Sequence, residues 1–118
     1  MLDARSRAPY ALAPMTDAAP PPEACMTMAE VRAGVDATDR ALVALLARRF
    51  AYMDAAARIK PDRAAVRDEA RKRQVIAQVR DAAVVAGLPA ETVVAMWETL
   101  VEASIAHELA AWDRARAG

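Results

Sequence analysis

The chain has little of what many enzyme chemistries use. Its one cysteine, Cys25, excludes an internal disulfide, and together with a single histidine, His107, it cannot build a zinc site of Cys and His ligands. The same shortage weakens any reading based on a Cys–His pair or a Ser–His–Asp triad. Aromatic residues make up only 4% of the 118 positions, and three glycines leave few hairpin turns, so a sheet-built core is not expected. No apolar run approaches the ~18 residues of a membrane span. Prolines interrupt the stretch after Arg7 where a secretory apolar segment would lie, so a cytoplasmic chain with no membrane partner is expected. Charge of neither sign is in excess, with sixteen Lys and Arg against sixteen Asp and Glu. Bulk attraction to a nucleic-acid backbone is therefore not expected, and any anion must be met by a few placed cations.

What is present is alanine, roughly a quarter of the chain, within a hydrophobic fraction of 56%. Such a composition favours closely packed helices in one small domain. Residues 1–26 carry Pro9, Pro14, Pro20, Pro21 and Pro22 and read as a flexible Ala/Pro-rich arm, with the folded domain at residues 27–118. Thr27 and Glu30 have the spacing of a capping box. From there Val31, Val35, Leu42, Leu45, Leu46, Met53 and Ala56 recur at helical steps, predicting one long helix to Lys60, where Pro61 stops it. A second helix is expected from about Arg67 to Ala86, with Val75, Val79, Ala82 and Ala86 facing inward and Gly87 as its C-terminal cap. A third begins at Pro89, with Val93, Trp97, Leu100, Val101, Ile105 and Trp112 as its stripe. The fold class is all-α, a three-helix protomer.

At 1.5 Å per residue the first helix is ~45 Å long, whereas a folded unit of this size is only ~30 Å across. Two shorter helices cannot cover its apolar stripe, so an intertwined homodimer is expected.

Charged residues fall on these stripes. At 100° per residue Arg49 and Lys60 point within ~20° of each other, in line with Leu42 and Met53. Asp68 and Arg71 stand at the entry of the second helix, and Ser104 and Glu108 lie one turn apart between Trp97 and Trp112. With Arg32 near the start of the first helix, these residues describe a dry, cation-rich pocket for a small dicarboxylate. Cys25 reads as an inert thiol, and His107 as a packing or surface residue.

The run Val31-Arg32-Ala33-Gly34-Val35-Asp36-Ala37-Thr38-Asp39, then Leu42 to Arg49, then Lys60, resembles the first helix of the all-helical chorismate mutase family. The likeness continues through Val66-Arg67-Asp68-Glu69-Ala70-Arg71 to Ser104 and Glu108, and covers about residues 28–114. It implies a three-helix protomer in an intertwined dimer that converts chorismate to prephenate, without metal or cofactor. Carried over by position, Arg49 holds one substrate carboxylate and Arg32 reaches across from the other subunit to hold the second. Lys60 contacts the ether oxygen and a carboxylate, Arg71 and Asp68 meet the ring-hydroxyl region, and Ser104 lines the pocket. Glu108 stands where many bacterial members have Gln, and Lys72 where the typical mutase has Glu. A carboxyl group donates a hydrogen bond only when protonated, so turnover rising below neutral pH is expected.

Two other readings stay open at this stage. Isochorismate-pyruvate lyases share the fold and the same Arg and Lys positions, and the stretch Arg48 to Lys60, the short link to Val66 and Trp112 resemble them equally. The remaining possibility is a non-catalytic helical dimerisation module.

Overall fold

A computed structural model describes residues 19–117. Three α-helices account for most of them: α1 at Met28–Ile59, α2 at Glu69–Val85 and α3 at Ala90–Ala115, with short 3-10 turns at Pro22–Ala24 and Arg63–Ala65. No strand occurs among the described residues, as the shortage of glycine and aromatics predicts. No helix among them is long and apolar enough to cross a membrane. The described residues divide into two compact units, one up to Arg49 and one from Phe50.

The predicted capping box starts α1. Thr27 Oγ1 accepts from the Glu30 amide at 3.1 Å, and Glu30 Oε1 accepts from the amides of Thr27 at 3.1 Å and Met26 at 2.7 Å. These backbone donors, Met26 first, hold the Glu30 carboxyl below its ordinary range. The helix ends one residue before the expected Lys60, whose amide still bonds to Ala56 O at 2.9 Å. Of the expected arm, residues 1–18 lie outside the described residues, and Pro22–Ala24 forms a 3-10 turn.

In the first unit the buried positions of α1 are alanines, Ala37 and Ala41, while the large side chains are open: Val35 and Leu42 are each 52% exposed and Val43 65%. Much of the stripe read from the sequence is thus exposed among the described residues of this unit, with Leu45 half-buried.

In the second unit α2 packs on α3. Val66, Val101 and Ile105 form the buried centre, with Val75, Trp97, Leu109 and Trp112 around it. Helix α2 starts at Glu69, two residues later than expected, because Asp68 caps it: Oδ1 accepts from the Arg71 amide at 3.0 Å. Its inner face also differs from the expected one. Ala83 is buried and Val75 and Val79 are half-buried, but Ala82 and Ala86 are exposed. Small side chains on neighbouring positions give the helical period little to distinguish, so packing against α3 sets the rotation. The C-terminal cap is as expected: Gly87 takes φ +75, and the amides of Gly87 and Leu88 bond to Val84 O and Ala83 O.

A seam of ion pairs runs along the α2–α3 contact. Glu102 meets Arg67 at 2.6 Å and Lys72 at 2.8 Å, and Lys72 also reaches Glu98 at 3.2 Å. Hydrogen bonds from Arg67 and then Lys72 pull the Glu102 carboxyl down to about 2.

Candidate active site

Pro61 ends α1 and leaves its last carbonyls without helical partners. Trp112 of α3 and Arg116, the residue that caps its C-terminus, supply them. Lys60 O accepts from Trp112 Nε1 at 3.1 Å and from Arg116 Nη2 at 2.9 Å, and Ala57 O accepts from Arg116 Nη1 at 3.0 Å. The guanidinium carbon of Arg116 lies 4.2 Å from the Trp112 ring centre. A cation at a helix C-terminus also suits the helix dipole. The next turn is clipped down by a two-bond pair from Arg63 to Asp113, at 2.8 and 3.2 Å.

Beside this fixed end, α3 turns Ser104 and Glu108 inward, 3% and 4% exposed. They are the two polar residues among the buried positions of the helix. Ser104 Oγ donates back to Leu100 O at 2.7 Å, which satisfies the hydroxyl within its own helix. Glu108 has a long-range partner: Lys60 Nζ stands 2.7 Å from its Oε2. The approach makes an ion pair without the alignment of a hydrogen bond, so Oε2 is a buried acceptor with no hydrogen bond of its own. A buried polar atom without a hydrogen bond is an exception in native structures.

The structure therefore brings together Lys60, Glu108 and, one turn away on α3, Ser104. Asp68 and Arg71 belong to the same unit, at the start of α2, and both are exposed. The Asp68 carboxylate caps the helix, and Arg71 Nη1 donates to Gln74 Oε1 at 2.7 Å. Arg32, exposed, and Arg49, half-buried, lie on α1 in the first unit. His107 pairs with Asp54 at 2.7 Å and packs its ring 5.0 Å from Phe50.

A cavity of about 610 Å³ in the first unit, lined by Pro20, Pro21, Val31, Val35, Ala37 and Asp39 among others, holds none of these candidate residues. Its apolar wall and one acid do not suit an anionic ligand.

Sequence reasoning missed the contacts of Trp112 and Arg116. An aromatic residue followed four positions later by Arg at a helix end is a readable pair. Which carbonyls it serves is not readable, because they lie more than fifty residues away in the chain.

No curated protein matches the chain. A family model described as chorismate mutase type II matches residues 31–109, a span that holds Arg32, Arg49, Lys60, Asp68, Arg71, Ser104 and Glu108. With well over half of its length matched and an all-helical fold of the expected three helices, the chain belongs to the chorismate mutase type II family.

Proposed function

We propose that this protein is a chorismate mutase, rearranging chorismate to prephenate as a homodimer. The observation that carries the reading is the buried Glu108 carboxylate held 2.7 Å from the partly exposed Lys60 ammonium. A Claisen rearrangement is unimolecular: one C–O bond breaks as one C–C bond forms, and no nucleophile, metal or proton transfer is required. Catalysis then rests on holding the substrate folded and on placing donors where the ether oxygen gains negative charge.

In this reading Lys60 Nζ donates to the ether oxygen, and the Glu108 carboxyl group 2.7 Å from it orients the ammonium there. Arg49 holds one carboxylate of the substrate and Arg32 of the partner subunit the other. Arg71 and Asp68 meet the ring hydroxyl, and Ser104 closes the wall. The shortage of His and Cys is no obstacle to such a reaction. Dimerisation is supported by the exposed stripe of Val31, Val35, Leu42 and Leu46, which falls within ~60° of the α1 surface.

A second reading, isochorismate-pyruvate lyase, is favoured by the short link from Lys60 to Val66 and by Trp112 near the end of the chain, two features in which the sequence resembles that branch. One experiment separates the two. The purified protein is incubated with each substrate, its mass being measured in solution beside the assay. Prephenate from chorismate by a particle of twice the chain mass is the expected result. Salicylate and pyruvate from isochorismate, with chorismate untouched, would replace the mutase by the lyase. Inertness toward both would leave a helical dimerisation module.

A further inference from the structure

A lysine ammonium is aimed by four rotatable bonds and by the main chain that carries them. Any rocking of that main chain is magnified at the tip. Lys60 is poorly placed in this respect, since it follows the last residue of α1 and precedes Pro61, where a helix end ordinarily frays. Its carbonyl nonetheless carries two hydrogen bonds, from Trp112 Nε1 and Arg116 Nη2, and the same guanidinium holds Ala57 O one turn earlier. The indole and the guanidinium brace each other at 4.2 Å. Trp112 and Arg116 both lie beyond residue 109, where the family match ends, so they are outside the matched pattern.

We propose that Trp112 and Arg116 are positioning residues for Lys60: they hold its main chain so that the ammonium stays on Glu108 and over the reacting oxygen. The catalytic consequence rests on the mutase reading; the geometric one does not.

Lys60 and Lys72 are the only lysines of the chain, which makes a direct test available. Labelling with a limiting amine-acylating reagent, read by peptide mass spectrometry, measures Lys60 against Lys72 as an internal standard, the latter being held by Glu98 and Glu102. Trp112→Phe keeps the aromatic packing and removes one donor. Arg116→Ala removes the other two, and the milder Trp112→Phe keeps the test open if Arg116→Ala fails to fold. In folded variants the Lys60 to Lys72 labelling ratio is expected to rise severalfold. An unchanged ratio overturns the clamp.

With chorismate, kcat is expected to fall about tenfold with KM little changed, as small displacements of a catalytic group produce. The effect of Trp112→Phe on kcat should vanish in a Lys60→Ala background, because a residue acting through Lys60 has nothing left to act through. An equal loss in both backgrounds overturns positioning through Lys60. If the wild-type protein turns over neither substrate, the mutase reading falls and the labelling ratio alone decides the clamp.

Discussion

Lys60 and Glu108 face each other across 2.7 Å with unequal access to water, the lysine side chain 30% exposed and the glutamate 5%. The carboxylate is sealed and the ammonium is open on one side, an arrangement that leaves the cation able to meet a second anion. Buried ion pairs contribute little net stability compared with apolar packing, so a pair retained in this position is better explained by what it does than by what it holds together.

Lys60→Ala is expected to lower kcat for chorismate at least a hundredfold, since removing one donor to a developing oxyanion costs about 2.7–4 kcal/mol of barrier. It should also destabilise the fold by about 1–3 kcal/mol, less than a fully buried pair because the ammonium is partly in water. Steady-state kinetics and a denaturant titration read the two effects separately. A variant of near-full activity would remove Lys60 from the mechanism.

Glu108→Gln is expected to loosen the hold on Lys60. The amide fills the position of the carboxylate without its charge, so the variant should fold, but the Lys60 ammonium loses its ion-pair partner. If Glu108 orients Lys60 at the ether oxygen, kcat for chorismate should fall severalfold with KM little changed, as misplacement of a catalytic group produces. Steady-state kinetics check this, and an unchanged kcat would remove Glu108 from the mechanism.

Asp68 has an observed task in the fold and a proposed one at the site, and two substitutions separate them. Asp68→Ala should cost about 1 kcal/mol through loss of the α2 cap, while Asp68→Asn should retain most of that stability because Asn caps equally well. If the carboxylate meets the substrate hydroxyl, Asp68→Asn should still raise KM. Full activity in Asp68→Asn would confine the residue to capping.

Acid should weaken the α2–α3 seam. The Glu102 carboxyl is held at about 2, against an ordinary value of 4.5, by Arg67 and Lys72. A depressed carboxyl contributes stability that is fully present above the unfolded value and is lost as pH falls through the folded one. The melting temperature is therefore expected to drop between about pH 4.5 and pH 2. Glu102→Gln should be less stable than wild type at neutral pH and converge with it at the acid end, and a constant gap across this range would rule out the seam as the cause.

Much of the fold was legible because its determinants are local. Thr27 and Glu30 act over three residues, Pro61 stops a helix by its own ring, and Gly87 caps one by its freedom at positive φ. The rotation of α2 was not legible, since Ala82, Ala83 and Ala86 are equivalent to a periodicity argument and only contact with α3 singles out Ala83. The candidate site was legible as a set of charges out of place on apolar stripes, and Glu108, Ser104 and Lys60 were found that way.

By itself the sequence determined the three helices, the cap of α1 at Thr27 and of α2 at Gly87, and the inward Glu108, because helical period and capping are set within about four residues, whereas Asp68 and Arg71, expected in the pocket, are exposed. Only the tertiary structure decided which partner Lys60 takes, which oxygen of Glu108 it faces, and that Trp112 and Arg116 hold the end of α1 in place. Those contacts join residues about fifty positions apart, and their existence depends on how two packed helices are rotated and set against each other, which no local pattern encodes.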